Sequence, residues 1–225
     1  MMKLIASDFD GTILIDESIS KNDIKAIRDF QNAGNLFGLV TGRSYHNLAP
    51  LIEGKIAPNF IIANNGGHIL VREDESYKEI FKSVIEKASA QKFVDLYEKD
   101  YEVTIFTEDR KLYDLEGVDK DIMALAIYTE DQVENRLKDL FDFHYSIGVV
   151  DVVNRGIDKQ RGIDIIKDYY KYQDEIYAIG DDYNDIVFLK STKRSYTLSY
   201  VTNPYVNGVC KYRVESIADL IKEVI

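Results

Sequence analysis

Lys3-Leu-Ile-Ala-Ser-Asp-Phe-Asp-Gly-Thr-Ile-Leu14 decides the reading of this chain, because an apolar run delivers two carboxylates, Asp8 and Asp10, to a glycine turn. Alternate residues of a strand point the same way, so both acids face one pocket at the strand's carboxyl end, where open parallel sheets place their ligands. Packing alone gives no reason for them. At an effective dielectric near 20, two unit charges about 4 Å apart repel by roughly 4 kcal/mol, so such neighbours imply a cation, a shared proton or strong hydrogen bonds. Taken alone, the run reads equally well as an acidic turn closing a strand.

Outward from that run, strand and helix alternate. Residues 4–7 read as a buried strand, and Ser20 with Asp23 three residues on reads as a capping box opening a helix with an apolar stripe at Ile24, Ile27 and Phe30. Gly34 ends that helix; residues 36–40 form the next strand, 45–52 a helix and 60–63 a third strand. The rhythm returns near the other end, with a helix over about 161–170, a strand at 175–179, a short helix from Asn184, a strand at 195–198 and a last helix at 217–224. The fold class is therefore α/β, a doubly wound, Rossmann-like parallel sheet whose halves are separated in sequence.

Between the halves the texture changes. Residues 101–107 and 111–115 alternate like antiparallel strands around Glu108-Asp109-Arg110, with one charged helix expected before them and another after. The predicted organisation is a core from 1–71 and 151–225 with an inserted α+β domain at 72–150. That insertion holds 11 basic and 20 acidic residues, hence −9 of the chain's −11. Such a surface disfavours a highly anionic substrate bound by the insertion, and the whole-chain charge argues against nucleic acid or an anionic membrane as partner. With 225 residues and 45% hydrophobic composition the chain buries a large core. A single cysteine, Cys210, excludes an internal disulfide, and His46, His68 and His144 lack zinc-ligand spacing, so any metal is expected on oxygen ligands. With no leader-like or membrane-spanning run, a cytoplasmic protein is the simplest expectation.

Three further stretches carry polar residues at predicted strand or helix ends. Thr41-Gly42-Arg43-Ser44 offers a hydroxyl, backbone N–H groups and a helix start to an anion, or serves as a plain cap. Asp158-Lys159-Gln160 offers a lysine suited to phosphate, or a surface charge. Gly180-Asp181-Asp182-Tyr183-Asn184-Asp185 again concentrates carboxylates, which also suit a first helical turn. Each bland reading survives separately. Together, the order acid pair, Thr-Gly, Lys, Gly-Asp-x-x-x-Asp brings all of them to one rim of the sheet, where Asp8, Asp10, Asp181 and Asp185 would repel unless a hard cation such as Mg²⁺ intervened.

With its four motifs in order, the chain resembles the haloacid dehalogenase superfamily phosphatases. The insertion after Asn64-Asn65-Gly66-Gly67 and before Lys159 is similar to the C2 cap of the Cof-like, type IIB branch, and its short length is similar to archaeal-type phosphoglycolate phosphatases. Departures are Gly67, often alanine in Cof-like chains, and a segment after Leu189 without their usual Gly-Asn-Ala pattern. The resemblance implies Asp8 as nucleophile and Asp10 as acid/base. It implies Thr41, Gly42 and Lys159 on the phosphate, Arg43 and Asn184 near the substrate, with Asn65 beside them, and Mg²⁺ at Asp8, Asp10, Asp181 and Asp185. It implies hydrolysis of a small phosphorylated metabolite, of sugar phosphate or phosphoglycolate type, through an aspartyl phosphate. An acid at position 10 favours phosphate chemistry over carbon–halogen cleavage, which has no leaving alcohol to protonate. A phosphomutase and a non-catalytic metabolite sensor with the same fold stand as alternatives.

Overall fold

The computed structural model describes residues 2–225. Its larger sheet has eight strands in the spatial order Tyr212–Val214, Ser195–Leu198, Tyr177–Ile179, Leu4–Ser7, Leu36–Val40, Phe60–Ala63, His68–Glu73 and Ser76–Lys82. The first six run parallel and the last two are antiparallel. From the strand Leu4–Ser7 the chain winds first to one side and, after the insertion, to the other. That reversal, between Leu4–Ser7 and Tyr177–Ile179, is the crevice where an open α/β sheet receives ligands. Helices Lys21–Asn32, Tyr45–Ile52, Lys159–Tyr170 and Ile217–Val224 complete the alternation. The central strands are buried end to end, as sheets covered on both faces require. Gly38 is forced by that packing, since any Cβ there would overlap the Phe60 ring.

The expected elements recur with local differences. Ser20 caps its helix, accepting the Asp23 N–H at 3.0 Å, and Gly34, at φ +81, follows it in the left-handed region. The helix expected from 161 begins at Lys159, because Asp158 accepts the Arg161 N–H at 2.7 Å and so takes the cap position. Helix Pro204–Val209 and strand Tyr212–Val214 were not expected. The insertion expected from residue 72 starts later, because residues 72–82 belong to the hairpin at the edge of the larger sheet. The chain turns at Asp74, at φ 54, and the strand Ser76–Lys82 returns along His68–Glu73, with Tyr77 Oη donating to the Pro58 carbonyl at 2.9 Å.

The smaller sheet has five antiparallel strands in the order Phe141–Ser146, Val149–Asn154, Ile122–Tyr128, Val103–Thr107 and Lys111–Leu112. It runs through Asn154, beyond the expected limit of 150, and has its own apolar cluster around Phe93, Tyr97, Ile105 and Phe141 beneath helix Lys87–Tyr97. The second charged helix expected in this segment does not form. Tyr97 Oη donates to the Glu134 carbonyl and accepts the Arg136 N–H, which fixes that stretch in an open path, and Asn135 caps a single turn at Leu137. Among the described residues no helix is long and apolar enough to cross a membrane.

Candidate active site

Strand pairing fixes the first acid against the fourth motif. Ser7 lies opposite Ile179, and the Asp8 N–H donates to the Ile179 carbonyl at 2.9 Å, so both strands end on Asp8 and Gly180-Asp181 side by side. Gly11, at φ +72, turns the chain back so tightly that a Cβ would overlap the Asp181 carboxylate. Thr12 Oγ1 then donates to Asp181 Oδ1 at 2.7 Å. Lys159, from the helix after the insertion, has its side chain fully buried and donates to Asp8 Oδ1 at 2.7 Å and Asp185 Oδ1 at 2.5 Å. Asp185 Oδ2 accepts the N–H groups of Asp181 and Asp182, both at 3.0 Å, so this acid braces the loop carrying Asp181.

Asp8, Asp181 and Asp185 each bring a carboxylate oxygen within 4.8 Å of the others. One ammonium faces three carboxylates, and burial adds to the cost. Burial, with Asp185 next, raises the Asp8 carboxyl well above its ordinary range against the pull of Lys159. The same causes push Asp181 up to about 7. Burial opposes the charge on Lys159, but Asp185 and Asp8 outweigh it and hold the ammonium above its usual range. Hard oxygen donors carrying uncompensated negative charge fit a small divalent cation of the Mg²⁺ type. The Asp10 side chain lies outside this group of three.

Asp10 instead faces Arg43, which donates from Nε to Oδ2 at 2.7 Å and from Nη2 to Oδ1 at 2.6 Å. Hydrogen bonding to Asp10 raises the Arg43 pKa further, against burial. Thr41 is buried at the end of its strand, and its Oγ1 accepts the Arg43 N–H at 3.1 Å. Gly42 follows at the cavity wall, and Asn184 reaches Asn65 Oδ1 at 3.3 Å. The candidate site residues named from the sequence thus lie in one neighbourhood. The split is internal: Asp8, Asp181, Asp185 and Lys159 form a buried ionic cluster, while Asp10 and Arg43 form a clamp at its mouth.

The smaller sheet roofs this mouth. A cavity of about 470 Å³ lies between the two sheets, walled below by Asp8, Asp10 and Arg43 and above by Phe106, Tyr128 and Asp151. The turn between the strands Phe141–Ser146 and Val149–Asn154 reaches the fourth motif, where the Ile147 N–H donates to Asp182 Oδ2 at 3.0 Å. Asp151 was missed in the sequence. It accepts a hydrogen bond from Asn65 Nδ2 at 2.9 Å, and burial pushes its carboxyl up to about 6. A signal was present, because Asp151 interrupts the apolar run Val149-Val150-Asp151-Val152-Val153 in the way Asp8 follows its own strand.

A sequence model of the haloacid dehalogenase-like hydrolases matches residues 5–142 and 126–217 in overlapping stretches. Among curated relatives, a 5-amino-6-(5-phospho-D-ribitylamino)uracil phosphatase of Escherichia coli is 25% identical, over 100% of this chain and 96% of its own. A phosphoglycolate phosphatase of Sulfurisphaera tokodaii is 27% identical over 81% of this chain and 75% of its own. Among solved structures, a haloacid dehalogenase-like hydrolase from B. subtilis superposes over 100% of both chains with a TM-score of 0.87 at 16% identity, a likeness of fold.

Proposed function

The chain belongs to the haloacid dehalogenase-like hydrolases, and from that premise we propose that it is a Mg²⁺-dependent phosphatase of their Cof-like branch. Its substrate is the phosphomonoester of a small metabolite. The observation that carries the reading is the Asp8 carboxylate, buried at the switch point of the sheet, held by Lys159 and crowded by Asp181 and Asp185. An ionic cluster of this kind costs stability that packing would not spend without chemistry to perform. The curated relatives named for phosphoribitylaminouracil and phosphoglycolate support a small phosphorylated substrate.

In this mechanism Asp8 attacks phosphorus through the oxygen that Lys159 does not hold, and the bond to the leaving oxygen breaks as the new one forms. Asp10 gives the departing alkoxide its proton and later takes one from the water that hydrolyses the aspartyl phosphate. A positioned acid/base of this kind contributes about 10² to 10⁴ in rate. The Arg43 clamp keeps both Asp10 oxygens as acceptors, so proton delivery requires Arg43 to leave, and an incoming phosphoryl group is the anion that draws it. Thr41 and the N–H groups around Gly42 receive phosphoryl oxygens, while Lys159 holds Asp8 in line. Asp8 and Asp181, with Asp185 beside them, would hold Mg²⁺, which would supply charge neutralisation between the anionic nucleophile and the anionic substrate. The smaller sheet acts as the cap that shields this chemistry from bulk water.

The test is phosphate release by the purified chain from a panel of phosphomonoesters with Mg²⁺ and with EDTA. Release that requires the metal supports the reading, and undetectable release by folded protein across the panel overturns it.

A further inference from the structure

Asp151 has no part in the phosphoryl chemistry, yet it stands in the same cavity. It sits on the strand Val149–Asn154 of the smaller sheet and comes down on the second motif so closely that a Cβ on Gly42 would lie 2.6 Å from its Oδ2. That oxygen is taken by Asn65 Nδ2 at 2.9 Å, and Asn65 is in turn held by Asn184. Among the described residues, Asp151 Oδ1 has no hydrogen-bond partner, and Asp151 lines the cavity. A half-buried carboxylate positioned from one side, with its other oxygen open, is an acceptor waiting for a donor.

The rest of the lining sharpens what that donor is. Asp8, Asp10, Asp151, Asp181 and Asp182 line the cavity against Arg43, its one cationic side chain among the described residues, and Arg43 is committed to Asp10. Lys159 lies beneath, bound to Asp8 and Asp185. With a metal ion and Arg43 both on the phosphoryl group, the lining would hold no further cation, among the described residues, for a second anionic group on the substrate. A carboxylate brought against Asp151 would set like charges against each other in a confined space, which opposes binding. A hydroxyl there would instead complete a charge-assisted hydrogen bond.

Resting on the phosphatase reading above, we propose that Asp151, positioned by Asn65, is the specificity determinant for the leaving group. It selects phosphoesters of polyols or sugars whose hydroxyl donates to Oδ1, and it rejects those bearing a carboxylate. The substrate class is thereby a phosphorylated polyol, neutral outside its phosphoryl group, and phosphoglycolate-like acids are excluded.

The test compares three phosphoesters of equal carbon length: glycerol 3-phosphate, 3-phosphoglycerate and propyl phosphate. Each is measured as a substrate with Mg²⁺ and as a competitor of p-nitrophenyl phosphate turnover, for the wild type, Asp151→Asn and Asp151→Ala. The wild type is expected to prefer glycerol 3-phosphate to 3-phosphoglycerate by about tenfold or more in kcat/KM or in inhibition constant. Asp151→Asn keeps the shape and removes the charge, so that ratio should fall by about tenfold through better use of 3-phosphoglycerate. Asp151→Ala should lower glycerol 3-phosphate relative to propyl phosphate by a similar factor. A wild type without preference, or ratios within twofold of wild type in both variants, overturns the assignment while leaving the phosphatase reading intact. No turnover of p-nitrophenyl phosphate or of any of the three overturns both.

Discussion

Replacing Lys159 by Met removes the one ammonium shared by Asp8 and Asp185 while keeping most of the side chain's volume. Lys159 and Asp185 are fully buried and Asp8 nearly so, with contacts of 2.7 and 2.5 Å, so solvent screens little of the interaction. Breaking a buried pair by deleting one partner costs about 3–5 kcal/mol, because an uncompensated charge is left behind. Here one deletion strands two carboxylates, and the upper part of that range applies. For a chain of this length each kcal/mol moves Tm by roughly 2–4 °C, so a loss of about 10 °C or more is expected. The pH dependence carries a definite sign. The Lys159 pKa is raised in the folded state, so its contribution is fully present across the neutral range and fades only in strong alkali. Without it, Asp8, already raised by burial and Asp185, rises further and is most easily accommodated when protonated. The variant should therefore lose most stability relative to wild type at pH 8 and least at pH 5. Urea unfolding followed by circular dichroism in EDTA reads both quantities. A loss below about 1 kcal/mol that does not vary with pH would refute the reasoning about this cluster.

Three further outcomes follow from the same geometry. Metal addition should stabilise the protein more at pH 8 than at pH 5: the Asp181 carboxyl, at about 7 in the folded apo state, makes that state lose stability as pH climbs from 4 through 7. Thermal melts with and without Mg²⁺ measure this, and equal stabilisation at both pH values would count against a metal on these carboxylates. Gly42→Ala would set a Cβ 2.6 Å from Asp151 Oδ2 and so lift the smaller sheet off the second motif. Turnover should fall by about tenfold or more, as for a small misplacement at a reacting centre, with a Tm change of only a few degrees. Arg43→Ala frees Asp10 from its clamp and, if Arg43 turns to the phosphoryl group as proposed, should raise KM. An unchanged KM would remove Arg43 from the substrate's path.

Much of this arrangement is legible in residue order because parallel sheets put all their strand ends on one rim. The alternation of apolar runs and capped helices is enough to put Asp8, Thr41, Lys159 and Asp181 there. What periodicity could not resolve is how carboxylates divide labour once together: Asp185 is spent on Lys159 and two backbone N–H groups, and Asp10 on Arg43. Those partnerships depend on loop geometry. The border of the insertion slipped because the strand Ser76–Lys82 is only half-buried at the sheet's edge, so its composition is that of a surface segment. The helix expected after the smaller sheet's first strands failed for a tertiary reason, the two hydrogen bonds that the Tyr97 hydroxyl makes at Glu134 and Arg136. Asp151 was overlooked because a single acid within a valine run carries no spacing to interpret; only the register Ala126 to Asp151 and the meeting with Asn65 give it meaning.

The central claim is that Asp8 becomes covalently phosphorylated during turnover. Mass spectrometry of acid-quenched protein, taken during steady-state hydrolysis with Mg²⁺, tests it most directly. The account predicts a phosphoryl increment on the peptide carrying Asp8, lost on hydroxylamine treatment and absent from Asp8→Asn. An increment on a different residue, or undiminished turnover in Asp8→Asn, would contradict it.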